Sequence, residues 1–203
     1  MTDAHSHDCP SRPTLTEQVA GVLAFAGDLS MGQSADHSLV TACIAAALAE
    51  HLGLSADAQA ATCQLGLLRW SGCTANAQDF SDLLGDDVEG RARLLAHRDP
   101  FVDKRAPSGH LPSYLAPMRT SHCEAAREIG RRLQLSPQFL AATYDLFEYW
   151  GGFGLPDDRI GDAIDVHAQL VTIAGDMEVW ERCYGPARTA LLLEEGAGQK
   201  YDP

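Results

Sequence analysis

No stretch of the 203 residues contains the roughly 20 consecutive apolar side chains that a membrane-spanning helix needs. The N-terminus, Met1 to Pro13, is polar and His-rich and lacks the apolar segment of a signal peptide, so the expected compartment is the cytoplasm. None of the six cysteines (Cys9, Cys43, Cys63, Cys73, Cys123 and Cys183) belongs to a C-x-x-C pair. Reduced thiols packed as small hydrophobes are expected rather than a disulfide frame. Basic residues are scarce: 15 Lys and Arg against 28 Asp and Glu give a net charge of −13. A surface that acidic repels phosphate backbones and anionic lipid, which argues against direct nucleic-acid or membrane binding by this segment. Period-two alternation is missing as well, which removes half-buried strands and leaves an all-α fold.

Apolar residues make up 45% of the chain, enough to bury one sizeable core. Residues 1–13 read as a flexible tail and 14–203 as a single helical domain. The cluster His5, His7, Asp8 and Cys9 has metal-like composition, but a polar tail holds no fixed geometry for ligands. Helical spacing predicts helices over Leu15 to Ala26 and Asp36 to Leu52, the latter burying Leu39, Val40, Cys43, Ala47, Leu48 and Leu52 on one face. Gly53 stops that helix, and Ser55 caps another that reaches Trp70. The signal weakens over about 79–120, read as a long irregular insertion with one short helix near Asp87 to His97. Ser121 and Glu124 have the spacing of a capping box, and Ser136-Pro137 opens a helix expected to reach Trp150. Helices over Ile164 to Tyr184 and Pro186 to Glu195 complete the expected set.

Two segments repeat one pattern. "LAEHLGLSADAQAATCQLGLLRW" (Leu48 to Trp70) and "IGRRLQLSPQFLAATYDLFEYW" (Ile129 to Trp150) share Leu-x-Leu-Ser, then Ala-Ala-Thr, then a closing Trp. A duplicated helical hairpin follows, with His37 and His122 each expected to open its first helix. Short antiparallel links then place His37 beside Arg69 and Trp70, and His122 beside Phe147 and Glu148, at one end of the bundle.

The stretch "EYWGGFGLPDDRIGDAIDVHAQLVTIAGDMEVW" resembles the C-terminal signature of HD-GYP domains, keeping Glu148, Trp150, Gly152, Gly154, Pro156, Gly161, Ile164 and Ala168 in place. "GQKYDP" resembles the family's Gly-x-x-Phe-Asp-Pro, and "LLRWSGC" stands where the family has Leu-Leu-His-Asp-Ile-Gly-Lys. The resemblance covers about residues 32–203 and implies a single HD-domain-like helical bundle. It also implies a site where histidines and aspartates chelate divalent metal (Mn, Fe or Mg) to activate water for cleavage of cyclic di-guanylate.

Matched position by position, His37, His122 and Glu148 survive as candidate ligands. The family's His-Asp pair becomes Arg69-Trp70, its Lys becomes Cys73, and its downstream aspartate becomes Gly175 with Asp176 one place late. Asp176 and Glu178 read as solvent-facing or arginine-paired. A guanidinium cannot deprotonate. At ~4 Å and an effective dielectric of ~20 it repels a unit charge by about 4 kcal/mol, and a divalent ion by about twice that. Arg69 is therefore expected to replace the metal, with Glu148 or Asp145 as its counter-ion, and neither cofactor nor catalytic residue is expected.

"LLRWSGCTAN" further resembles the N-terminal part of certain LuxR-type transcription regulators. That implies a homodimeric regulatory or sensory module, with a DNA-binding domain or regulatory protein as partner and the chain continuing beyond Pro203. The alternative is a metal-dependent phosphodiesterase acting on cyclic di-guanylate or another nucleotide.

Overall fold

The computed structural model describes residues 13–96, 111–152, 154–155 and 157–203. The tail cluster His5, His7, Asp8 and Cys9, part of the weak-signal stretch, and Pro156 lie outside these residues. Among the described residues nine α-helices and no strand occur: α1 Leu15–Ser30, α2 His37–His51, α3 Ala56–Leu68, α4 Ala77–Leu84, α5 Asp87–Leu95, α6 Leu111–Arg132, α7 Pro137–Ala142, α8 Val166–Tyr184 and α9 Pro186–Gly196. The core gathers Leu65 and Leu68 of α3, Phe139 of α7, Leu146, and Ala168 and Val171 of α8. Helix α8 runs through the centre, packed on α2, α3 and α9.

The two repeated segments share the turn that the repeat predicts, although His37 packs on Glu178 rather than beside Arg69 and Trp70. In the first, Leu54 N–H bonds to Ala49 O at 3.0 Å; in the second, Leu135 N–H bonds to Gly130 O at 3.0 Å. Each turn passes through a left-handed residue, Gly53 at φ 73° and Gln134 at φ 56°. Ser55 Oγ then accepts from Ala58 N–H and Ser136 Oγ from Phe139 N–H, so both second helices start on a serine cap.

Four expectations need correction. The buried face of α2 is His37, Ser38, Thr41, Ala42, Ala45 and Ala49. Leu39, Val40 and Leu52, assigned to the core from spacing, are exposed, as is Cys43. The cause is close packing: a Cβ on Gly66 of α3 would lie 2.8 Å from Ala42 Cα, so only small side chains fit between the two helices. Ser121 is not a cap either. Helix α6 begins at Leu111 and runs through it, and Ser121 Oγ donates back to Pro117 O at 3.0 Å. The helix after Ser136 ends at Ala142 in a 3-10 turn over Thr143–Asp145, well short of Trp150. Finally, the weak-signal stretch carries, besides the expected short helix (α5), most of α4 and the first part of α6.

Candidate functional site

The sequence-predicted site residues fall into three places. Arg69, Trp70, His122 and Asp176 line one cavity of about 180 Å³. His37 is buried on α2 against Glu178 of α8, with its Nδ1–H donating to the carboxylate and its Nε2 lacking a partner. Asp145 and Glu148 form a third group at the end of α7, under the loop that leads to α8.

Arg69 ends α3 and is only 5% exposed. Its Nη1 donates to Val171 O of α8 at 3.1 Å, and its guanidinium carbon lies 4.2 Å from the Trp70 ring centre. Burial pulls its pKa down, and the charge of Asp176 opposes that pull. A Cβ built on Gly175 would fall 1.5 Å from Arg69 Nη1. The guanidinium therefore occupies the volume into which any side chain at 175 would project.

The expected counter-ions are corrected. Glu148 accepts the backbone N–H groups of Asp157 at 2.7 Å and Arg159 at 3.0 Å. Asp145 accepts Asp165 N–H at 2.7 Å and pairs with Arg159 at 3.4 Å. Both carboxylates are raised in pKa by burial, and both are spent on fastening the 157–165 loop. No ion pair joins Arg69 to either. The acid nearest in influence is Asp176, which accepts the Tyr201 hydroxyl and pairs with Lys200 Nζ at 2.5 Å. Asp176 is thus buried and lysine-paired rather than solvent-facing.

His122 does not open a helix; it lies in the middle of α6. The shared turn sets the two hairpins 81 residues apart, the separation of Leu54 and Leu135, so His122 corresponds to Thr41 rather than to His37. Its Nε2–H donates to Arg69 O at 2.6 Å, which leaves Nδ1 as the acceptor facing Cys73 Sγ at 3.7 Å. Burial pushes its pKa down to about 4, keeping the ring neutral, and burial pushes the Cys73 thiol up to about 12. Phe147 packs edge-on against His122 with ring centres 5.0 Å apart, as the hairpin reading expected. Glu178, in contrast, is held at about 2: burial alone would raise it, but hydrogen bonds from His37 and Arg182 outweigh burial.

The residues present do not fit a metal pair. One position that the resemblance assigns to a ligand carries a buried guanidinium, and that guanidinium fills the space of a second, Gly175. Both His122 nitrogens face protein atoms, and Glu148 and Asp145 are committed to the loop. Among the described residues no three His, Cys, Asp or Glu side chains converge.

Sequence reasoning missed Asp28, Arg91, Arg119, Tyr149 and Lys200. Asp28 of α1 is fully buried and accepts Ser38 N–H through both oxygens at 3.0–3.1 Å, capping α2 from outside the helix. Arg119 lay hidden in a Pro-rich stretch. Lys200 had a signal: it stands inside the "GQKYDP" match, and that segment returns to the site through Gly151 N–H bonding to Gln199 O at 2.7 Å.

No family model matches the chain. Across 89% of its length the chain is 22% identical to the 3'3'-cGAMP-specific phosphodiesterase 3 of Vibrio cholerae serotype O1, covering 44% of that protein. A crystal structure of a cyclic GMP-AMP specific phosphodiesterase from V. cholerae superposes with a TM-score of 0.71 at 18% identity, covering 92% of this chain and 45% of the other. The chain therefore spans less than half the length of the relatives it matches. The fold is an all-helical, HD-domain-like bundle.

Proposed function

We propose that the chain is a regulatory module on a phosphohydrolase-like scaffold, in which an arginine stands where metal chemistry would occur. One observation carries this reading. Arg69 and Gly175 are the positions that the resemblance gives to a ligand histidine and a ligand aspartate, and a single guanidinium now occupies the space of both. The two changes are complementary: aspartate at 175 cannot coexist with Arg69 in its observed place. A fixed positive charge there repels a divalent ion by about 8 kcal/mol at contact distances and an effective dielectric of ~20.

The comparisons by themselves favour the second reading, a phosphohydrolase acting on a cyclic dinucleotide or another nucleotide, because the similar protein is an enzyme. Since the chain covers less than half of that protein, such an activity can also reside in the part without a counterpart here. One assay separates the readings: incubation with manganese, magnesium or iron and either 3'3'-cGAMP or cyclic di-guanylate. No turnover above a metal-only control is expected, and cleavage of either substrate would sink the regulatory reading.

The module is further proposed to work as a homodimer attached to a DNA-binding domain or regulatory protein. Supporting the dimer, α1 leaves Leu15, Val22 and Leu29 exposed at heptad spacing, with Leu39 and Val40 of α2 also in solvent. Sedimentation of the chain over a concentration series tests the dimer, and a strictly monomeric species would remove it.

A further inference from the structure

We propose that the Arg69 cavity is a metal-free binding site for a small aromatic anion: one planar ring bearing one carboxylate or phosphate. The inference deepens the proposed function by naming the ligand class of the same site, and it rests on the reading that arginine has displaced the metal.

Charge is the first argument. Four cations line the cavity of a protein whose net charge is −13. Two are internally matched: Lys200 by Asp176, and Arg91 by Asp87 at 3.1 Å, with further bonds from Arg91 to Cys73 O and Asn76 Oδ1. The other two are not. Among the described residues neither Arg69 nor Arg119 forms an ion pair with a carboxylate; each has one bond to a backbone carbonyl, Arg69 to Val171 O and Arg119 to Phe147 O at 3.2 Å. Two guanidinium groups carry ten N–H donors between them in a fork that matches planar oxyanions. Arg69 is buried and Arg119 half-buried; a buried charge with no direct ion pair is costly, and an anion reaching both would lower that cost.

A second, independent observation is Trp70. It is 4% exposed, lines the same cavity, and its indole N–H has no acceptor. Buried donors of this kind are rare in folded proteins and mark strain or an acceptor from outside the chain, a water, an ion or a ligand atom. Strain is a poor account here, since the ring is well packed between Arg69 and Phe147.

The walls then select the rest of the ligand. Phe80, Phe147, Tyr149 and Trp180 present aromatic surface around the cations, and Arg119 stands 5.1 Å from the Phe147 ring centre and 5.9 Å from that of Tyr149. Stacking surface and oxyanion donors together favour an aryl anion over a bare ion. The volume of about 180 Å³ lies below the ~300 Å³ where pockets for drug-sized ligands begin. One ring with one charged group fits; a dinucleotide does not.

Isothermal titration of the full chain, in low salt with EDTA present, tests this with phenyl phosphate, benzoate, inorganic phosphate and phenol. At least one aryl anion should bind about tenfold or more tighter than inorganic phosphate, with phenol binding too weakly to detect. Arg119→Ala, on the rim, should weaken that aryl anion by about tenfold with the far-ultraviolet spectrum unchanged. Gly175→Ala, which must push Arg69 aside, should do the same. Equal binding of inorganic phosphate and the aryl anions would mean an adventitious ion only and would overturn the ligand class. Failure of both aryl anions to bind the wild-type chain would overturn the site while leaving the metal-free reading intact. Binding that appears only when manganese replaces EDTA, or hydrolysis of phenyl phosphate with manganese, would bring down both.

Discussion

The hairpin of α2 and α3 and the hairpin of α6 and α7 share a turn, a cap and a threonine bonded back along the helix, yet they finish differently. Thr62 Oγ1 donates to Ala58 O at 2.9 Å, and its counterpart Thr143 donates to Phe139 O at 2.7 Å. Beyond that point α3 continues to Leu68 and delivers Arg69 into a cavity with most of its donors unused. In the other copy, α7 stops at Ala142, and the chain presents Asp145 and Glu148 to a loop whose backbone N–H groups take up Glu148 Oε1 and Oε2 and Asp145 Oδ2. One end is open and leaves most of its donors unused; the other ties its carboxylates to a loop, with only Asp145 Oδ1 lacking a hydrogen bond. Incomplete groups are held in place by the rest of the fold and are free to serve a ligand, whereas satisfied ones serve stability.

The largest break in the comparison comes from backbone crowding, which should hit both ends alike. A Cβ on Gly72 would lie 2.2 Å from His122 O, and one on Gly154 would lie 2.3 Å from Glu148 Cα. Neither obstacle is a flexible side chain. Gly72→Ala and Gly154→Ala should each cost about 3 kcal/mol, read as a lower urea midpoint at constant slope. A loss under roughly 1 kcal/mol at either site would show that the close approach is not real.

Acid should sharpen the picture of the open end next, with the His37–Glu178 pair as the reference. His122 titrates at about 4 in the folded chain against its ordinary 6.5. The unfolded chain therefore takes up the proton first, and stability falls as pH drops from about 6.5 to about 4, by about 3 kcal/mol. Glu178, held at about 2 against an ordinary 4.5, contributes stability above about 4.5 that is lost as pH falls toward 2. Its partner Arg182 is 39% exposed, so solvent screening limits this second loss to roughly 1–2 kcal/mol. His122→Gln should flatten the upper limb alone in a stability-pH profile; an unchanged limb would reassign it.

A smaller contrast bears on the two sets of charges directly. Glu148→Ala strips acceptors from two backbone N–H groups and should cost about 2 kcal/mol. Arg69→Met removes a buried cation that has one hydrogen bond and no ion pair, and should leave stability unchanged or raise it by about 1 kcal/mol. Were Arg69→Met the more damaging, the open end would have to be structural.

The sequence revealed the elements with turn chemistry of their own. Ser55, Ser136-Pro137, Gly53 and the Pro186 start all stand where local rules put them, because caps and left-handed turns are decided by neighbouring backbone. It misled where packing distance decides. The buried face of α2 is made of Ala42, Ala45 and Ala49 because Gly66 lets α3 approach closely, and no periodicity argument can rank alanine above Leu39 without knowing that distance. The start of α6 was obscured by Pro117 and by a serine with cap-like spacing. That an arginine stands at position 69, where the resemblance gives a histidine, was legible from the sequence. Its environment was not: Lys200, Arg119 and Asp28 reach their partners across 24 residues of chain in the Lys200–Asp176 pair, 28 in Arg119–Phe147 and 10 in Asp28–Ser38, with no shared motif.

The finest test of the duplication is at its turns. Gly53 and Gln134 occupy the same left-handed position, φ 73° and 56°, each closing its helix with the same two backbone bonds. Glycine adopts that conformation freely, whereas glutamine must crowd its Cβ against the backbone, at a cost of about 1 kcal/mol. Gln134→Gly should therefore stabilise the chain by about 0.5–1 kcal/mol, and Gly53→Gln should destabilise it by a similar amount. The two changes lie far apart, so the double variant should return to within about 0.5 kcal/mol of the wild type. Opposite and cancelling shifts in thermal midpoint would establish that the two turns are one device used twice. Shifts of the same sign would mean that Gln134 is held left-handed by contacts its counterpart lacks, and that the hairpins converged on a similar turn from different surroundings.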